Sequence, residues 1–416
     1  MRPHMEGMVF DQLVKLLEPC LQEDFLNSSW GQTHRHIQGW PGKFSHLLPW
    51  ERLNEILRHH RLEPPRLRLT RDGKSIASST YLRHILSGRR RASIPRLLPV
   101  ELTAELRRGA TLVLDAVDEL YQPLEELAEG LERSLREHIQ INAYAGWRTS
   151  RGFDLHWDDH DVFILQVAGR KRWSIYGMTR RYPLVRDVET ARKPEGAPLW
   201  EGTLEDGDLL YIPRGWWHVA LPLDEPTLHL TVGIHNRTGL DLLGWLKERL
   251  REREDFRRDL PRFATRAEQA AHMNRLRDQL LAEWGADLLD RFYHDSDANA
   301  EARPQLSLPW SATPEILPEG DALVRLTVPR GLDLKTNAQH DAKEVIEFSC
   351  HGKRWRFAAE SIVILRPLAE GGVCSVNQLC EAAKGKLEER TVRAFLGELI
   401  LHGLLAVVVV RDKSQR

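Results

Sequence analysis

Cysteine, long apolar runs and net charge are all scarce in this chain of 416 residues. The four cysteines have no metal-binding spacing and are too sparse for a disulfide scaffold. No apolar run approaches the roughly 18 residues of a membrane span, and the N-terminus lacks the apolar centre of a signal peptide. With 59 basic and 60 acidic residues the formal net charge is −1, so no overall field favours nucleic acid or a membrane surface. These absences predict a cytoplasmic protein without a membrane partner, and the length predicts two or three domains.

The most informative pattern that is present consists of two histidines and one carboxylate. His156 and Asp158 are separated by one residue, and on an extended strand such residues point to the same face. His218 follows a segment that predicts a turn, a strand and a second turn, in which Pro213 and Gly215 permit a sharp bend. Two histidines and a carboxylate on one ion form the facial triad of non-haem Fe(II) oxygenases. The pattern therefore predicts an Fe(II) site at His156, Asp158 and His218.

Two alternatives to an Fe(II) site stay open for these three residues. Zinc accepts the same ligands together with water, and two histidines can end neighbouring strands without binding any ion. A His-x-Asp or His-x-Glu pair carries little weight alone, because chance supplies roughly two or three in a chain of this composition. The surroundings add weight: Val162–Val167 is an apolar run of strand length, Ala168–Arg170 predicts a turn, and Arg172–Tyr176 alternates like a partner strand.

The residues around these ligands resemble the JmjC-type cupin oxygenases, and among them the ribosomal oxygenases. The resemblance rests on His156–Gln166, on Gly169–Trp173, and on the Gly-x5-Pro-x-Gly-x2-His pattern of Gly207–His218. The match is dense over residues 140–235, although Pro222 stands where the cupin motif usually has an asparagine. The resemblance implies an α+β fold: a double-stranded β-helix (the cupin or JmjC jelly roll) with flanking helices.

The same resemblance implies a cosubstrate and the residues that hold it. The family uses 2-oxoglutarate with O₂, and a basic residue on the strand after the His-x-Asp strand, here Lys171, holds its far carboxylate. An ammonium inside a barrel is costly unless an anion meets it, although Lys171 also suits a solvated turn. Further positions match the cosubstrate pocket of the family: Thr231, Asn142 and Tyr144. His229 could face inward, since it lies two residues before Thr231, but a core or surface role is favoured for it and for His235.

The chain is predicted to form three domains. Residues 1–237 form a JmjC/cupin catalytic domain with N-terminal helices, 238–315 a helical region, and 316–416 a winged-helix-like domain. Apolar spacing predicts helices over these ranges: 9–25, 47–62, 117–135, 240–256, 266–293, 360–369, 376–383 and 387–401. In the family that the chain resembles, the helices at this position form a dimer interface, so the resemblance implies a homodimer. A helix bundle within one chain would show the same spacing of apolar and charged residues. The third helix of the last domain mixes acidic and basic residues, which favours packing or substrate docking over nucleic-acid binding.

The resemblance implies an Fe(II)- and 2-oxoglutarate-dependent hydroxylase whose partner is a polypeptide substrate. The expected target is an arginine or histidine of a ribosomal protein, and demethylation of methyl-lysine is disfavoured because the local match is closer to the hydroxylases. Two other functions stay open. A tailoring hydroxylase of a peptide natural product would keep the same site and leave the ribosome unmodified. A non-enzymatic cupin and winged-helix regulator would bind DNA sequence-specifically without turnover.

Overall fold

The computed structural model describes residues 11–88, 92–184, 187, 192–312, 317, 321–328, 330–338, 344–370 and 372–411. The chain divides into two units, Met1–Asn236 and Arg237–Arg416. The finer division into three domains stays a prediction. None of the described helices combines the length and the apolar character that crossing a membrane requires.

The first unit is built from antiparallel strands with helices beside them. Its strands are β1 (Arg35–Ile37), β2 (Leu67–Arg71), β3 (Lys74–Ser75), β4 (Leu82–Ser87), β5 (Ala92–Leu97), β6 (Thr111–Leu114), β7 (His138–Gly146), β8 (Asp161–Ala168), β9 (Lys171–Tyr176), β10 (Trp200–Leu204), β11 (Leu209–Ile212), β12 (Trp217–Pro222) and β13 (Thr227–His235). Its helices are α1 (Asp11–Leu17), α2 (Gln22–Ser28), α3 (Trp50–His59), α4 (Pro99–Arg107) and α5 (Gln122–Leu135).

Two sheets of this unit share one apolar layer. The larger sheet has the order β1-β11-β8-β13-β7-β6-β2-β3 and the smaller one β10-β9-β12, while β4 and β5 form a separate hairpin. Along β8, Ile164 packs with Trp173 of the smaller sheet, whereas the alternate residue Phe163 packs against Phe25 of α2. This alternation is the period of two that an extended strand imposes. The larger sheet therefore lies between the helices and the smaller sheet, as in a JmjC jelly roll.

The expected pairing of β8 with the strand after it is wrong. A short turn between two alternating runs predicts a hairpin, but both edges of β8 are occupied by β11 and β13. The chain instead crosses to the smaller sheet, where β9 pairs with β10 and β12. Gly169, at a φ of 64°, makes this crossing, and a Cβ there would lie 2.1 Å from the carbonyl oxygen of Pro226. As a result, β9 faces β8 across the interior instead of lying beside it.

The first helix predicted from the sequence is divided into two helices in the structure. The sequence predicts a continuous helix over residues 9–25, but α1 ends at Leu17 and α2 begins at Gln22, with Pro19 between them. Proline lacks the N–H that a helix interior needs and its ring clashes with the preceding turn. Both helices still bury leucine and phenylalanine against the larger sheet.

The second unit combines helices with two small sheets. Its helices are α6 (Gly239–Leu250), α7 (Glu254–Arg257), α8 (Arg266–Glu283), α9 (Leu288–Ala298), α10 (Ile362–Ala369), α11 (Val376–Ala382) and α12 (Glu389–Leu401). Its strands are β14 (Asp321–Leu326), β15 (Lys335–Ala338), β16 (Glu344–Cys350), β17 (Lys353–Ala358), β18 (Cys374–Ser375) and β19 (Leu405–Arg411), in the orders β18-β14-β19 and β15-β16-β17. The helix expected over 266–293 is interrupted at Gly285, because glycine is a weak helix former.

Candidate metal centre and its cavity

The two histidines and the carboxylate lie together although 62 positions separate the histidines in sequence. The backbones of His156 and His218 exchange two N–H···O bonds of 3.2 and 2.7 Å, so both side chains leave the same face of an antiparallel bridge. The Nε2 atoms of His156 and His218 lie 4.0 and 3.5 Å from the carboxylate oxygens of Asp158. One atom from each residue lies within 4.8 Å of the others. Three ligands at this spacing can each reach a shared ion at about 2 Å.

Backbone carbonyls select the tautomer of both histidines. The Nδ1 of His156 donates to the carbonyl oxygen of Asp154 at 2.8 Å, and the Nδ1 of His218 donates to that of Trp216 at 3.0 Å. A carbonyl only accepts, so each Nδ1 carries the proton and each Nε2 keeps its lone pair for an ion.

The protonation states suit a metal as well. Burial, and then the charge of His156, lower the pKa of His218 to about 4. Burial alone would raise the pKa of Asp158, but the neighbouring histidines, His218 first, hold it below its ordinary value. At neutral pH the site therefore offers a neutral imidazole at His218 and an ionised carboxylate, as metal ligation requires.

A hairpin tip supports the loop that precedes His156. The N–H of Asp72, between β2 and β3, donates to the carbonyl oxygen of Arg151 at 2.6 Å. Beside it, a Cβ at Gly73 would lie 2.5 Å from the carboxylate of Asp154. The hairpin therefore packs closely against Asp154, whose carbonyl oxygen orients His156.

The turn before His218 is tied to the start of β8 by a buried carboxylate. Asp161 is 3% exposed, and it accepts from the backbone N–H of Arg214 at 2.8 Å and from the hydroxyl of Tyr211 at 2.6 Å. In the same turn, the N–H of Gly215 donates to the carbonyl oxygen of Asp158 at 2.9 Å. These bonds hold the segments of the second and third ligands together.

We predict that Asp161→Asn weakens binding of Fe(II) or Co(II) by about 10- to 100-fold, the cost typical of removing an outer partner of a metal ligand. The amide keeps the volume but presents an N–H₂ group to one of the two donors that the carboxylate accepts. The measurement is a metal titration under anaerobic conditions. Glu225→Gln is the control, because it removes a half-buried carboxylate that pairs with Arg170 and is not one of the three grouped residues. Equal affinities in the wild type and Asp161→Asn would mean that the turn holds without this carboxylate.

A cavity of about 250 Å³ opens beside the three residues, between the two sheets. The larger sheet contributes Tyr144, His229 and Thr231, and the smaller sheet contributes Lys171 and Trp173. Strands therefore line the cavity on both sides, and His156, Asp158 and His218 are among its lining residues.

Lys171 is a buried cation without an anionic partner among the described residues. Burial alternates along β9, so that Lys171 and Trp173 point inward, and Lys171 is only 6% exposed. Its Nζ lies 5.7 Å from the centroid of the Trp173 ring. Burial lowers its pKa to about 7, with no neighbouring carboxylate to raise it again in the described part of the chain. The alternative role of Lys171 as a solvated turn residue is thus excluded. A buried ammonium without an anionic neighbour favours the binding of an anion from outside the protein.

The remaining sequence-predicted residues divide into two groups. Thr231 and Tyr144 line the same cavity as Lys171. Asn142 is not among the lining residues; its carboxamide oxygen accepts from the backbone N–H of Ala116 at 2.9 Å. It therefore joins β7 to the segment that follows β6.

Several lining residues were not predicted. Arg68 and Thr111 enter from β2 and β6, and Phe153 enters from the loop before His156. Nothing local in the sequence indicates which strands will lie beside β7. His229 also lines the cavity, and its spacing of two from Thr231 was the signal for it.

Comparison with known proteins finds a matching domain model, similar curated proteins and similar solved structures. A family model described as a JmjC domain matches residues 119–242. The chain is 30% identical over 230 residues to a "Bifunctional lysine-specific demethylase and histidyl-hydroxylase NO66" of Drosophila pseudoobscura pseudoobscura, which covers 54% of this chain and 23% of that protein. It is 27% identical over 281 residues to the protein of the same name from Dictyostelium discoideum, covering 64% and 52%. The chain thus spans only about a quarter to a half of the curated relatives it matches.

Solved structures extend the likeness to most of the chain. The structure described as YcfD, a ribosomal oxygenase from Escherichia coli, in complex with cobalt and 2-oxoglutarate, has a TM-score of 0.58 and 17% sequence identity, covering 94% of this chain and 99% of that one. A second structure of that protein has a TM-score of 0.57 at the same identity and coverage. This likeness shows a shared fold.

Proposed function

We propose that this protein is an oxygenase that uses Fe(II), 2-oxoglutarate and O₂ to hydroxylate a side chain of a protein. The match of residues 119–242 to the JmjC domain model supports this proposal and agrees with the resemblance seen in the sequence. One observation carries the proposal. A cavity lined by two histidines and a carboxylate also holds the buried cation Lys171, which has no anionic partner among the described residues. The two histidines and the carboxylate suit a metal ion. A dicarboxylate suits the whole cavity, because one of its ends can bind the metal ion while the other pairs with Lys171.

In this proposal the Nε2 atoms of His156 and His218 and the carboxylate of Asp158 hold Fe(II). When bound, Fe(II) with 2-oxoglutarate and O₂ supplies the oxidation, in which the keto acid becomes succinate and CO₂ and one oxygen atom enters a substrate C–H bond. Lys171 pairs with the far carboxylate, and Thr231 supplies a hydroxyl near it. The apolar ring of Trp173 excludes water from this end of the cavity, which strengthens the ion pair.

The proposed substrate is an arginine or histidine side chain of a ribosomal protein. Support comes from the printed names of similar proteins, a "histidyl-hydroxylase" and a "ribosomal oxygenase". His156 is the most exposed of the three ligands, at 41% against 6% for His218, so a polypeptide reaches the metal from its side. Phe153 lies there, with its ring 5.8 Å from that of His156.

The second unit is proposed to make a homodimer and to dock the substrate. Large apolar side chains are exposed on α6, α8 and α9, and a partner copy would cover them: Leu240, Leu243, Met273, Leu281 and Leu289. For the proposed winged-helix-like part, Arg393 of α12 pairs with Glu389 at 2.8 Å. This cation is already neutralised, which favours docking of a protein over binding of nucleic acid. A cytoplasmic location stays a prediction.

To test the proposal, the Fe(II)-loaded protein is incubated with 2-oxoglutarate, O₂ and ribosomal proteins from cells that lack this gene, and the masses of the ribosomal proteins are measured. We expect one ribosomal protein to gain the mass of one oxygen atom on an arginine or a histidine, and to gain nothing with His156→Ala. Succinate formation with an unmodified ribosome would overturn the ribosomal substrate and favour a tailoring role. Release of formaldehyde from methyl-lysine peptides would favour demethylation, which the relatives' name also includes.

A further inference from the structure

The charged residues of this chain are unevenly distributed, although its net charge is close to zero. Residues 56–100 contain 11 lysines and arginines, ten of them arginine, against two carboxylates, which gives this segment a charge of +9. The whole chain has a formal net charge of −1, so the remaining residues together carry −10. Such an asymmetry indicates a surface for an anionic partner, which the charge of the whole chain does not show.

The arginines of this segment divide into a neutralised group and an unpaired group. Each arginine on or next to β2 has a carboxylate partner: Arg66 has Glu119, Arg68 has Asp115 and Arg71 has Glu105. Four exposed arginines have no carboxylate partner within the described part of the chain, and we call them the basic surface: Arg58, Arg61, Arg83 and Arg96. The fold therefore neutralises the arginines of β2 and leaves these four available to a partner.

Two arginines of the basic surface lie side by side on the hairpin of β4 and β5. Arg83 and Arg96 are directly opposite each other in the register of the two strands. Directly opposite residues share one face of a strand pair, where like charges are destabilising. Leu82 belongs to the other face and is buried in the core, so the two arginines point away from the core. An anion bound on this exposed face would remove the repulsion between them.

A side-chain contact fixes the hairpin beside the segment that carries the other two arginines. The Nε2 of His84, on β4, lies 2.9 Å from a carboxylate oxygen of Glu63. Glu63 follows Arg61 by two residues in the segment after α3. The two pairs of arginines therefore belong to segments that are in direct contact.

The chemistry of the basic surface suits phosphate groups. A guanidinium presents parallel N–H groups that match two oxygens of one phosphate, whereas an ammonium acts as a point charge. A nucleic-acid strand repeats its phosphates at short intervals, so that several arginines can bind one strand and release its condensed counterions. An arginine-rich surface on a chain of nearly zero net charge therefore favours a local contact with a polyphosphate.

We propose that the basic surface binds the phosphate backbone of RNA. RNA is preferred to DNA because the proposed substrate belongs to an RNA-containing particle, and in this choice alone the inference rests on the proposed function. Binding requires neither the metal nor the cosubstrate, since none of the four arginines lines the cavity. Contacts to phosphate position a protein on RNA and carry no sequence information.

The test follows the fluorescence anisotropy of a labelled single-stranded RNA of roughly 20 nucleotides, longer than the site of one small domain, with the full chain at several salt concentrations. Arg83→Gln combined with Arg96→Gln is expected to weaken binding by about 10-fold. The slope of log affinity against log salt should fall by about 1.4, from about 0.7 for each lost phosphate contact. Lysine at both positions keeps the charge and should recover most of the slope.

The matched control removes the same charge from the second unit. Arg257→Gln combined with Arg390→Gln changes two exposed arginines and should keep the affinity for RNA within about twofold of the wild type, because salt screens distant charges. Thermal unfolding of both double variants should match the wild type, since all four positions are exposed.

Distinct outcomes would overturn the inference. A wild type that binds no RNA at low salt would do so, and equal losses in the two double variants would show that only the overall charge matters. Tighter binding to DNA of the same sequence, to vesicles of anionic lipid or to polyglutamate than to RNA would mean a different partner. Succinate formation is measured in parallel: RNA binding by a chain that forms no succinate would support the basic surface and overturn only the proposed function.

Discussion

Substituting asparagine for Asp158 is expected to abolish binding of Fe(II) and, with it, all oxygen-dependent turnover. The side chain keeps its volume but loses the only anionic ligand of the three, so two neutral imidazoles must hold a divalent cation alone. The loss should exceed the 10- to 100-fold that removal of an outer partner of a metal ligand costs. Anaerobic titration with Co(II), followed by visible absorption, measures it.

The adjacent carboxylate provides the control for this prediction. Asp159 accepts from the Nδ1 of His160 at 2.8 Å and is not one of the three grouped ligands. Asp159→Asn should therefore keep metal affinity within about tenfold of the wild type, below the loss expected for a ligand. If both substitutions weaken binding equally, the ion is held by the acidic segment as a whole, and the three-residue site is wrong.

Lys171→Met is expected to have two opposite effects. It should lower the affinity for 2-oxoglutarate by more than about 100-fold, because the bound carboxylate loses the buried charge with which it is proposed to pair. It should also stabilise the protein free of metal and cosubstrate, on the order of a few kcal/mol, since burial of the unpartnered ammonium costs about 1.36 kcal/mol for each unit of lowered pKa. Calorimetry and thermal unfolding measure the two effects separately.

The pH dependence of this stabilisation follows from the sign of the shift. The pKa of Lys171 is lowered to about 7 in the folded protein, whereas the unfolded chain keeps the ordinary value of 10.5. The penalty is therefore fully present below about pH 7 and disappears as the pH rises towards 10.5. The stability gap between Lys171→Met and the wild type should narrow from pH 7 to pH 9. Lys74→Met, on an exposed position of β3, should show no gap. A destabilised Lys171→Met that still binds 2-oxoglutarate would contradict the assignment.

The sequence predicted the parts of the site that depend on local geometry. His156 and Asp158 are two residues apart on an extended segment, and the Pro-x-Gly turn precedes His218, so short-range stereochemistry sufficed to name the three residues that the structure brings together. Lys171 followed from its place in a family pattern. Its burial could not have been inferred from composition, since it stands between two arginines in a segment whose pattern predicts a hairpin.

What could not be predicted depends on contacts between distant strands. β8 is not paired with β9, because β11 and β13 fill both of its edges, and those strands begin more than forty residues later in the chain. Arg68 could not be predicted for the same reason. It reaches the cavity because β2 pairs with β6 in the larger sheet. Asn142 was predicted to line the pocket, but it binds the backbone after β6, a neighbour that its own strand does not reveal.

In the proposed function, one cavity holds both Fe(II) and 2-oxoglutarate and couples them to O₂. The most direct measurement is an anaerobic titration with both, followed by admission of O₂ and quantitation of succinate, for the wild type, His156→Ala and Lys171→Ala. We predict that the wild type binds both and forms succinate, and that each variant forms none. A wild type that binds no 2-oxoglutarate would contradict this claim, and would favour a metal-binding protein of another kind or a DNA-binding regulator.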